Sequence, residues 1–373
     1  MDRSTRLTGL DLAKVLAMYF VVLYHLTFRN APLLGAGRVL DYIEYYLTTL
    51  MSCCVPLLFA VSGALALRQP VDLSKSLRRS LQVLLLAVVW TVLSLAVVLI
   101  LRGERMSPGE CFSVAWQLRV GYIQHLWYLP TFFFLCLMTP IMQALRNSSR
   151  KVYRYGLVIL AIYTFGNLLL SDGEYLLRWF LGKTGYSGNR EFFWYTNFFG
   201  SHYWYAPVYY ALGAALVEYR DRLRRYKKAA VLSIPLCMVC LFVIALARSF
   251  VREVTFDPVF NNYASIFTLV ITAAILLLLL EAKPGPKLSA FAKAVASESL
   301  GIYLVHWLLI EVLLDYFPAV TDSNRFAPLT AVAVMALSWG ISWVCKKIPL
   351  VKNLFTISTK WVRGTPSPKT DGQ

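Results

Sequence analysis

The chain has 373 residues, of which 58% are hydrophobic and only 15% are charged, and its formal net charge is +17. Soluble globular domains carry about 25% charged residues, so this composition excludes a soluble domain. It also excludes a disordered chain, a collagen-like fibre and a disulfide-rich secreted scaffold. Because an apolar block of about 20 residues crosses a bilayer as a helix, we predict an all-α, multi-pass membrane protein.

The apolar blocks predict ten membrane-spanning helices. They lie near residues 9–28, 40–67, 81–101, 126–145, 153–170, 203–219, 229–248, 262–280, 296–315 and 327–345. The first block is too long for a cleaved signal peptide and has no cleavage pattern after it. The second contains Pro56, which predicts a kink or break there because proline removes a helical hydrogen bond. We expect a single transmembrane domain over residues 1–357, followed by a short disordered tail at 358–373.

The segments between the helices alternate in charge. The basic set comprises residues 1–8, 68–80, 146–154, 220–228, 281–293 and 346–373. Together these six segments hold 25 Lys and Arg against five acidic residues. Cytoplasmic loops of membrane proteins collect Lys and Arg, so both termini are predicted to be cytoplasmic. The excess positive charge then indicates contact with membrane lipids and gives no reason to expect nucleic acid as a partner.

Two segments on the predicted outer side, residues 102–125 and 171–202, are rich in aromatic residues and glycine. One interpretation is an aromatic belt at the membrane interface. The other is a lid or a surface that binds an acceptor substrate. The cysteines do not indicate a metal site, because Cys237 and Cys240 form a C-x-x-C without a second pair or a histidine cluster to complete one. We therefore predict no metal.

The first predicted helix carries three ionisable residues, Asp11, Lys14 and His25, and such residues inside a membrane usually mark function. The 11 steps from Lys14 to His25 make about three turns, so both residues share one face about 16 Å apart. Asp11 lies one turn before Lys14 and is close enough to pair with it. A cation at the inner mouth and a base further out suit a long substrate with an anionic head, such as coenzyme A. The alternatives are snorkelling of Lys14 to lipid headgroups and a helix-to-helix hydrogen bond for His25.

The other histidines are His125, His202 and His306. His125 opens the fourth predicted helix at the outer interface, and His306 lies near the middle of the ninth. His202 ends the outer segment 171–202, where we expect a solvated loop position. His306 fits a buried hydrogen-bonding residue as well as it fits a site residue.

These residues resemble the acyltransferase type 3 family of integral-membrane O-acyltransferases. Lys14, ten intervening residues and His25 resemble the family's R/K-x10-H signature. Further resemblances, in the family's order, are VPLLFAVSG (Val55 to Gly63), the pair Arg78-Arg79, HLWYL (His125 to Leu129) with Pro140 downstream, YYALGAALVEYR (Tyr209 to Arg220) and SLGIYLVHW (Ser299 to Trp307). The resemblance covers residues 9–345, and HLWYL is similar to the branch that acts on surface polysaccharides.

The resemblance implies a ten-helix enzyme of the bacterial cell membrane. Such an enzyme transfers an acyl group, here most simply acetyl, from cytoplasmic acyl-CoA to a hydroxyl of an extracytoplasmic or lipid-linked glycan, with no tightly bound cofactor. It implies that His25 is catalytic, and we place Asp11 with it among the catalytic candidates. Lys14, with Arg78 or Arg79, would contact the phosphates of CoA.

The chain departs from the family pattern in two respects. Lys14 stands where arginine is more common, so a two-pronged phosphate contact is replaced by a point charge. The SLxxEExFY element of another branch and the fused hydrolase-like domain of some members are absent, which weakens the expectation of a peptidoglycan acceptor.

The mechanistic hypothesis is that neutral His25 removes the proton of the acceptor hydroxyl, which attacks the thioester directly. An acyl-histidine intermediate is the alternative, and the sequence does not separate the two. Polarity alone suggests four residues that contact substrate or the oxyanion: His125, Trp127, Tyr303 and His306. Ser62-Gly63 is better explained by close helix packing than by a nucleophile.

Two other classes of protein remain as alternatives. A transporter or flippase for a glycan or small molecule would also use ionisable residues inside the membrane, although the sequence shows no inverted repeat. A receptor or scaffold with the same fold would not need His25.

Overall fold

The structure is a computed structural model that describes residues 7–27, 38–118, 121–186, 203–321, 324–349 and 351–357. Throughout these ranges the regular elements are helices and no strand occurs, so the predicted all-α membrane fold is confirmed. The α-helices are α1 (Thr8–Thr27), α2 (Val39–Thr49), α3 (Cys54–Ala66), α4 (Leu73–Arg102), α5 (Pro108–Gln117), α6 (Tyr128–Ser148), α7 (Arg150–Ala161), α8 (Asn167–Phe180), α9 (Tyr205–Glu218), α10 (Arg220–Leu223), α11 (Lys227–Arg252), α12 (Ile266–Leu280), α13 (Pro286–Ser297), α14 (Ser299–Tyr316), α15 (Pro318–Thr321) and α16 (Ala327–Cys345).

Each of the ten predicted apolar blocks coincides with helix. Eight helical stretches of the described chain are long and apolar enough to cross a membrane. The remaining two blocks form α9, of 14 residues, and α12, of 15 residues. At 1.5 Å per residue these helices are about 21 and 23 Å long, less than the roughly 30 Å hydrocarbon core. Because α9 packs on α3 and α12 on α11, neighbouring helices can satisfy polar groups that lipid would leave unpaired.

The second predicted helix is interrupted, as Pro56 suggested, but the interruption precedes the proline. Residues Leu50–Cys53 form a 3-10 turn between α2 and α3, and Pro56 is the third residue of α3. Proline is tolerated in the first turn of a helix, where its missing N–H has no intrahelical partner. The chain therefore changes helix type just before the proline and continues regularly after it.

The fifth predicted helix is longer than expected. After α7 a π-helical turn at Ile162–Gly166 leads into α8, which continues to Phe180. The prediction of an outer loop over 171–202 is therefore wrong for its first ten residues. Within this helical part, Asp172 is buried in an ion pair with Arg248 of α11 (2% and 3% exposed side chains, 2.7 Å from Nε to Oδ1). The predicted lid at 187–202, which includes His202, and the predicted disordered tail at 358–373 lie outside the described residues.

Helices α3 and α9 cross in close contact, and glycine makes this possible on both sides. A Cβ atom at Gly63 would overlap the backbone of Tyr210, and one at Gly213 would overlap the backbone of Ala60. Small residues let membrane helices approach this closely. The expected packing role of Gly63 is therefore supported, and this crossing fixes the position of α3, which lines the site described below.

We expect Gly63→Ala to destabilise the protein by at least about 1–3 kcal/mol, the usual cost of overpacking, because the helix backbones would have to separate. Gly156→Ala on α7 is the matched control, since a Cβ there meets no atom within 4 Å. Thermal unfolding in detergent compares the two variants. Equal melting temperatures for Gly63→Ala and the wild type would contradict this packing.

Candidate functional site

The bundle encloses a cavity of about 460 Å³ that three of the chain's four histidines line. They are His25 of α1, His125 of the 3-10 turn Gln124–Trp127, and His306 of α14. We name this space the histidine cavity. Its volume is in the range of small-molecule sites, and the sequence had selected all three residues as candidates.

The imidazole ring of His306 lies close to those of His25 and His125, and one indole lies close to the rings of His25 and His125. The ring centroid of His306 is 5.6 Å from that of His25 and 5.8 Å from that of His125. The indole of Trp307 contacts the other two histidines: it is edge-on to His25 at 5.0 Å and stacked on His125 at 5.4 Å. Residues separated by up to 281 positions in sequence (25 to 306) thus converge on a single small volume.

Two hydrogen bonds fasten the His125 turn to α14 and so explain this convergence. The hydroxyl of Tyr303 donates to the carbonyl oxygen of His125 at 2.5 Å, and Nε1 of Trp307 donates to the carbonyl oxygen of Tyr122 at 2.9 Å. Arg102 of α4 adds a third link by donating to the carbonyl oxygen of Gly121. The same guanidinium pairs with the buried Glu311 of α14 at 2.6 Å. The turn is therefore anchored to both α4 and α14.

Hydrogen bonding fixes the tautomer of His306. Its Nδ1 lies 2.6 Å from the carbonyl oxygen of Tyr303 and 3.2 Å from that of Ile302. Carbonyl oxygens only accept, so Nδ1 carries the proton and the neutral ring presents an unprotonated Nε2. Among the described residues Nε2 of His306 has no hydrogen-bond partner, and neither nitrogen of His125 has one. Buried polar atoms are nearly always paired, so these nitrogens are positioned to hydrogen-bond with a polar group inside the cavity.

A carboxylate also faces the histidine cavity, and sequence reasoning missed it. Asp257 lies in the connection between α11 and α12, accepts a hydrogen bond from the hydroxyl of Tyr24, and accepts two more from the backbone N–H groups of Val259 and Phe260. Burial raises the pKa of Asp257, while the hydrogen bond from Tyr24 acts in the opposite direction. Tyr24 adjoins His25 in sequence, and their rings lie 5.0 Å apart. No motif surrounds Asp257, so only the fold could reveal it.

Trp127 contributes an aromatic wall to the same cavity. Its indole is stacked between Tyr203, at 5.1 Å, and Tyr263, at 5.8 Å, while Phe260 meets it edge-on. Within the described residues its Nε1–H makes no hydrogen bond, in contrast to the Tyr303 hydroxyl. Trp127 therefore keeps a donor for a ligand.

A second cavity, of about 430 Å³, lies toward the end of the bundle where α1 and α4 begin and α16 ends. Three cationic side chains line it: Lys14, Arg79 and Lys346. We name it the cationic cavity and this end of the bundle the basic end. No acidic residue is among the described residues that line it. Its charge suits an anionic group such as a phosphate.

The two cavities share three lining residues, Leu58, Tyr128 and Tyr303. We call these three residues the neck. Tyr128 is held firmly, since its ring stacks on Phe59 at 5.0 Å and on Phe132 at 5.7 Å. Because α1 is regular over its whole length, the expected separation of about 16 Å between Lys14 and His25 holds. The lysine lines one cavity and the histidine the other.

Of the remaining predicted site residues, some line a cavity and others do not. Arg79 lines the cationic cavity and lies 5.2 Å above the ring of Phe132, whereas its neighbour Arg78 is exposed and is not part of the lining. Asp11 is buried but lies 14 residues before His25 on one straight helix, about 21 Å away. It therefore cannot contact the His25 imidazole. Ser62 lines the cationic cavity.

A metal site is not apparent in the part of the chain that the structure describes. No group of three or more His, Cys, Asp or Glu side chains there is arranged to hold an ion. The seven cysteines are all free thiols, including Cys237 and Cys240.

Comparison with known protein families gives one match: an acyltransferase domain, the acyltransferase type 3 family, over residues 7–345. The match covers most of the chain and includes every lining residue of the two cavities that precedes residue 346. The protein therefore belongs to this family. Its general activity is therefore acyl transfer by a multi-pass membrane protein. No curated protein and no solved structure matches the chain significantly.

Proposed function

We propose that this protein transfers a short acyl group, most simply acetyl, from acyl-CoA to a hydroxyl of a glycan on the other side of the membrane. The observation that carries the proposal is the pair of adjoining cavities, one cationic and one lined by three histidines, which meet at Leu58, Tyr128 and Tyr303. A transferase that takes its donor from one face and its acceptor from the other needs this arrangement.

The cationic cavity is the donor site in this proposal. The basic end carries the Lys- and Arg-rich segments that face the cytoplasm by the positive-inside rule, and acyl-CoA is cytoplasmic. Lys14 and Arg79 would contact the nucleotide phosphates. The pantetheine arm would then pass the neck and bring the thioester to His25.

The histidine cavity is the acceptor site. Aromatic faces such as the Trp127 indole suit the apolar face of a sugar ring, and buried polar groups suit its hydroxyls. The Nε2 atom of His306 can accept a hydrogen bond, whereas Trp127 and one nitrogen of neutral His125 can donate one. The proposed acceptor is therefore a saccharide of the cell envelope, free or lipid-linked, in a bacterial cytoplasmic membrane.

The reaction itself needs a base, and we assign that role to His25. The imidazole takes the proton from the acceptor hydroxyl as its oxygen attacks the thioester carbonyl. The tetrahedral oxyanion collapses, the C–S bond breaks, and the departing thiolate of CoA takes the proton back from the imidazolium. The neutral His306 has no free N–H, and the Tyr303 hydroxyl already donates to His125. Trp127 and His125 are accordingly the remaining candidates from the sequence for stabilising the oxyanion.

The proposal is tested with purified protein in liposomes, acetyl-CoA, and soluble oligosaccharides such as maltotetraose and chitotetraose. We expect free CoA thiol to form together with acetylated saccharide, detected by mass spectrometry. A transporter or flippase would move saccharide without releasing CoA, and a scaffold would do neither. Incubation with donor alone, followed by mass spectrometry of the intact protein, separates direct transfer from an acyl-histidine intermediate.

The donor site makes a prediction that distinguishes two adjacent arginines. Arg79→Gln is expected to raise the KM for acetyl-CoA about tenfold, because a charge-assisted contact contributes about 1.5–3 kcal/mol. Lys14→Gln should do the same with little change in kcat. Arg78→Gln is the matched control and should change KM by less than about twofold. A larger effect at Arg78 than at Arg79 would contradict the assignment of the cationic cavity to the donor.

A further inference from the structure

The chain continues past the region that matches the family, and this continuation forms part of the cationic cavity. The match ends at residue 345, yet Lys346, Phe355, Thr356 and Ile357 line the cavity. From here we call residues 346–357, of which all but 350 are described, the terminal segment. Nothing in the family match accounts for its presence at the donor site.

The terminal segment is fixed against the bundle by specific contacts. Nε1 of Trp90, on α4, donates to the carbonyl oxygen of Leu354 at 2.7 Å, and the Trp90 ring meets Phe355 edge-on at 5.3 Å. On the opposite side Phe355 approaches Gly301 of α14 so closely that a Cβ there would lie 3.2 Å from its ring. Phe355 is 4% exposed. The segment is therefore a packed wall of the cavity.

Lys346 is the one cation that this segment brings to the cavity. Its Nζ pairs with Glu298 at 2.7 Å and donates more weakly to the carbonyl oxygen of Ser297 at 3.4 Å. The same carboxylate oxygen of Glu298 accepts a hydrogen bond from Ser342. Glu298 does not line the cavity, so the ammonium lies between a carboxylate on one side and the cavity on the other.

We infer that the terminal segment completes the donor site and that Lys346 is its third phosphate-binding cation, beside Lys14 and Arg79. The ammonium of Lys346 is carried on a flexible four-carbon stem, so it can turn from Glu298 toward a phosphate of the donor. Glu298 then competes with the ligand for the same cation. This inference rests on the proposed function, because it takes the phosphates to be those of acyl-CoA.

Two substitutions should change the affinity for CoA in opposite directions, which separates this role from that of a merely structural ion pair. Lys346→Gln should weaken CoA binding about tenfold, because one charge-assisted phosphate contact is lost. Glu298→Gln should tighten it by a few-fold, because a competing carboxylate is removed and its hydrogen-bonding shape is kept. Lys347→Gln is the matched control: it is the next residue, of the same type, and its Nζ lies 3.3 Å from the centre of the Trp343 ring, away from the cavity lining.

The experiment measures CoA binding by titration calorimetry for these three variants and the wild type, in nanodiscs of zwitterionic lipid. A parallel titration uses S-acetyl-pantetheine, which lacks phosphate, and we expect Lys346→Gln to bind it like the wild type. If both substitutions weaken binding alike, or if Lys346→Gln behaves like Lys347→Gln, the inference is wrong.

Three further outcomes are decisive. A loss of CoA affinity in Lys346→Gln that appears only in nanodiscs containing anionic lipid would assign Lys346 to a lipid headgroup and overturn the inference. Failure of the wild type to bind CoA at all would overturn the proposed function itself. A wild type that binds CoA with an unaffected Lys346→Gln variant would refute only the role of Lys346.

Discussion

Replacing His25 with alanine should lower kcat for acyl transfer by about 10²–10⁴-fold, the usual contribution of a general base. The acceptor hydroxyl would then have to lose its proton to water, which the buried cavity restricts. The affinity for acyl-CoA should stay within about twofold of the wild type, because the proposed phosphate site lies on the far side of the neck. Single-turnover transfer to chitotetraose, together with CoA titration, separates these two effects.

Two comparison variants make the His25 result specific. Phe20→Ala alters a partly buried residue of the same helix that lines neither cavity, and it should transfer acyl groups at near the wild-type rate. His306→Ala removes the neighbouring unprotonated Nε2 and should cost less than His25→Ala. If His306→Ala abolished transfer while His25→Ala retained it, the base would be His306 and the assignment of His25 would be wrong.

A bulky side chain in the neck should block acyl transfer without weakening nucleotide binding at the proposed donor site. Leu58 is 8% exposed and borders both cavities, so Leu58→Trp places a bulky indole on the path that we propose for the thioester arm. We expect transfer to fall more than about 100-fold, an effect of at least about 2.7 kcal/mol on the barrier. Binding of adenosine 3′,5′-bisphosphate, which has the nucleotide phosphates of CoA but no arm, should be unchanged.

Leu58→Met is the control for the neck, because volume-conserving apolar exchanges cost less than about 1.5 kcal/mol and leave the passage open. Retained bisphosphate binding shows that Leu58→Trp is folded. Rapid transfer by that folded variant would mean that donor and acceptor do not meet through Leu58, Tyr128 and Tyr303.

The sequence predicted the helices well, because membrane spans depend on local composition. It also placed Lys14 and His25 on one face of α1, since helical geometry within one element follows from spacing alone. The same spacing places Asp11 about 21 Å from His25, so the grouping of Asp11 with the catalytic candidates was an error of interpretation that helical geometry alone could have corrected. It placed the break near Pro56 but not the 3-10 turn ahead of it.

The convergence of His25, His125 and His306 depends on contacts between distant elements, and no spacing in the sequence encodes it. The hydrogen bonds of Tyr303 and Trp307 to the 121–127 turn bring His125 to α14. Adjacent residues of a helix also lie on different faces, and the sequence alone does not show which face borders a cavity. Arg79 lines the cationic cavity and Arg78 does not.

Other site residues lacked any local signal. Asp257 follows no motif, and Lys346 looked like one more cation among the basic terminal residues. The start of the outer segment was also not predicted as helix, and its Asp172 is buried by Arg248, which lies 76 residues later. Pairing across long sequence separations is what single-sequence reasoning cannot supply.

The most direct test of the account separates the two substrates by the membrane. Acetyl-CoA is trapped inside proteoliposomes and chitotetraose is added only outside, so that neither molecule can cross the bilayer. Molecules whose basic end faces inward should then produce acetylated saccharide outside and free CoA thiol inside, and His25→Ala should produce neither. No product under this separation, with full activity when both substrates share one side, would contradict transfer through the two adjoining cavities.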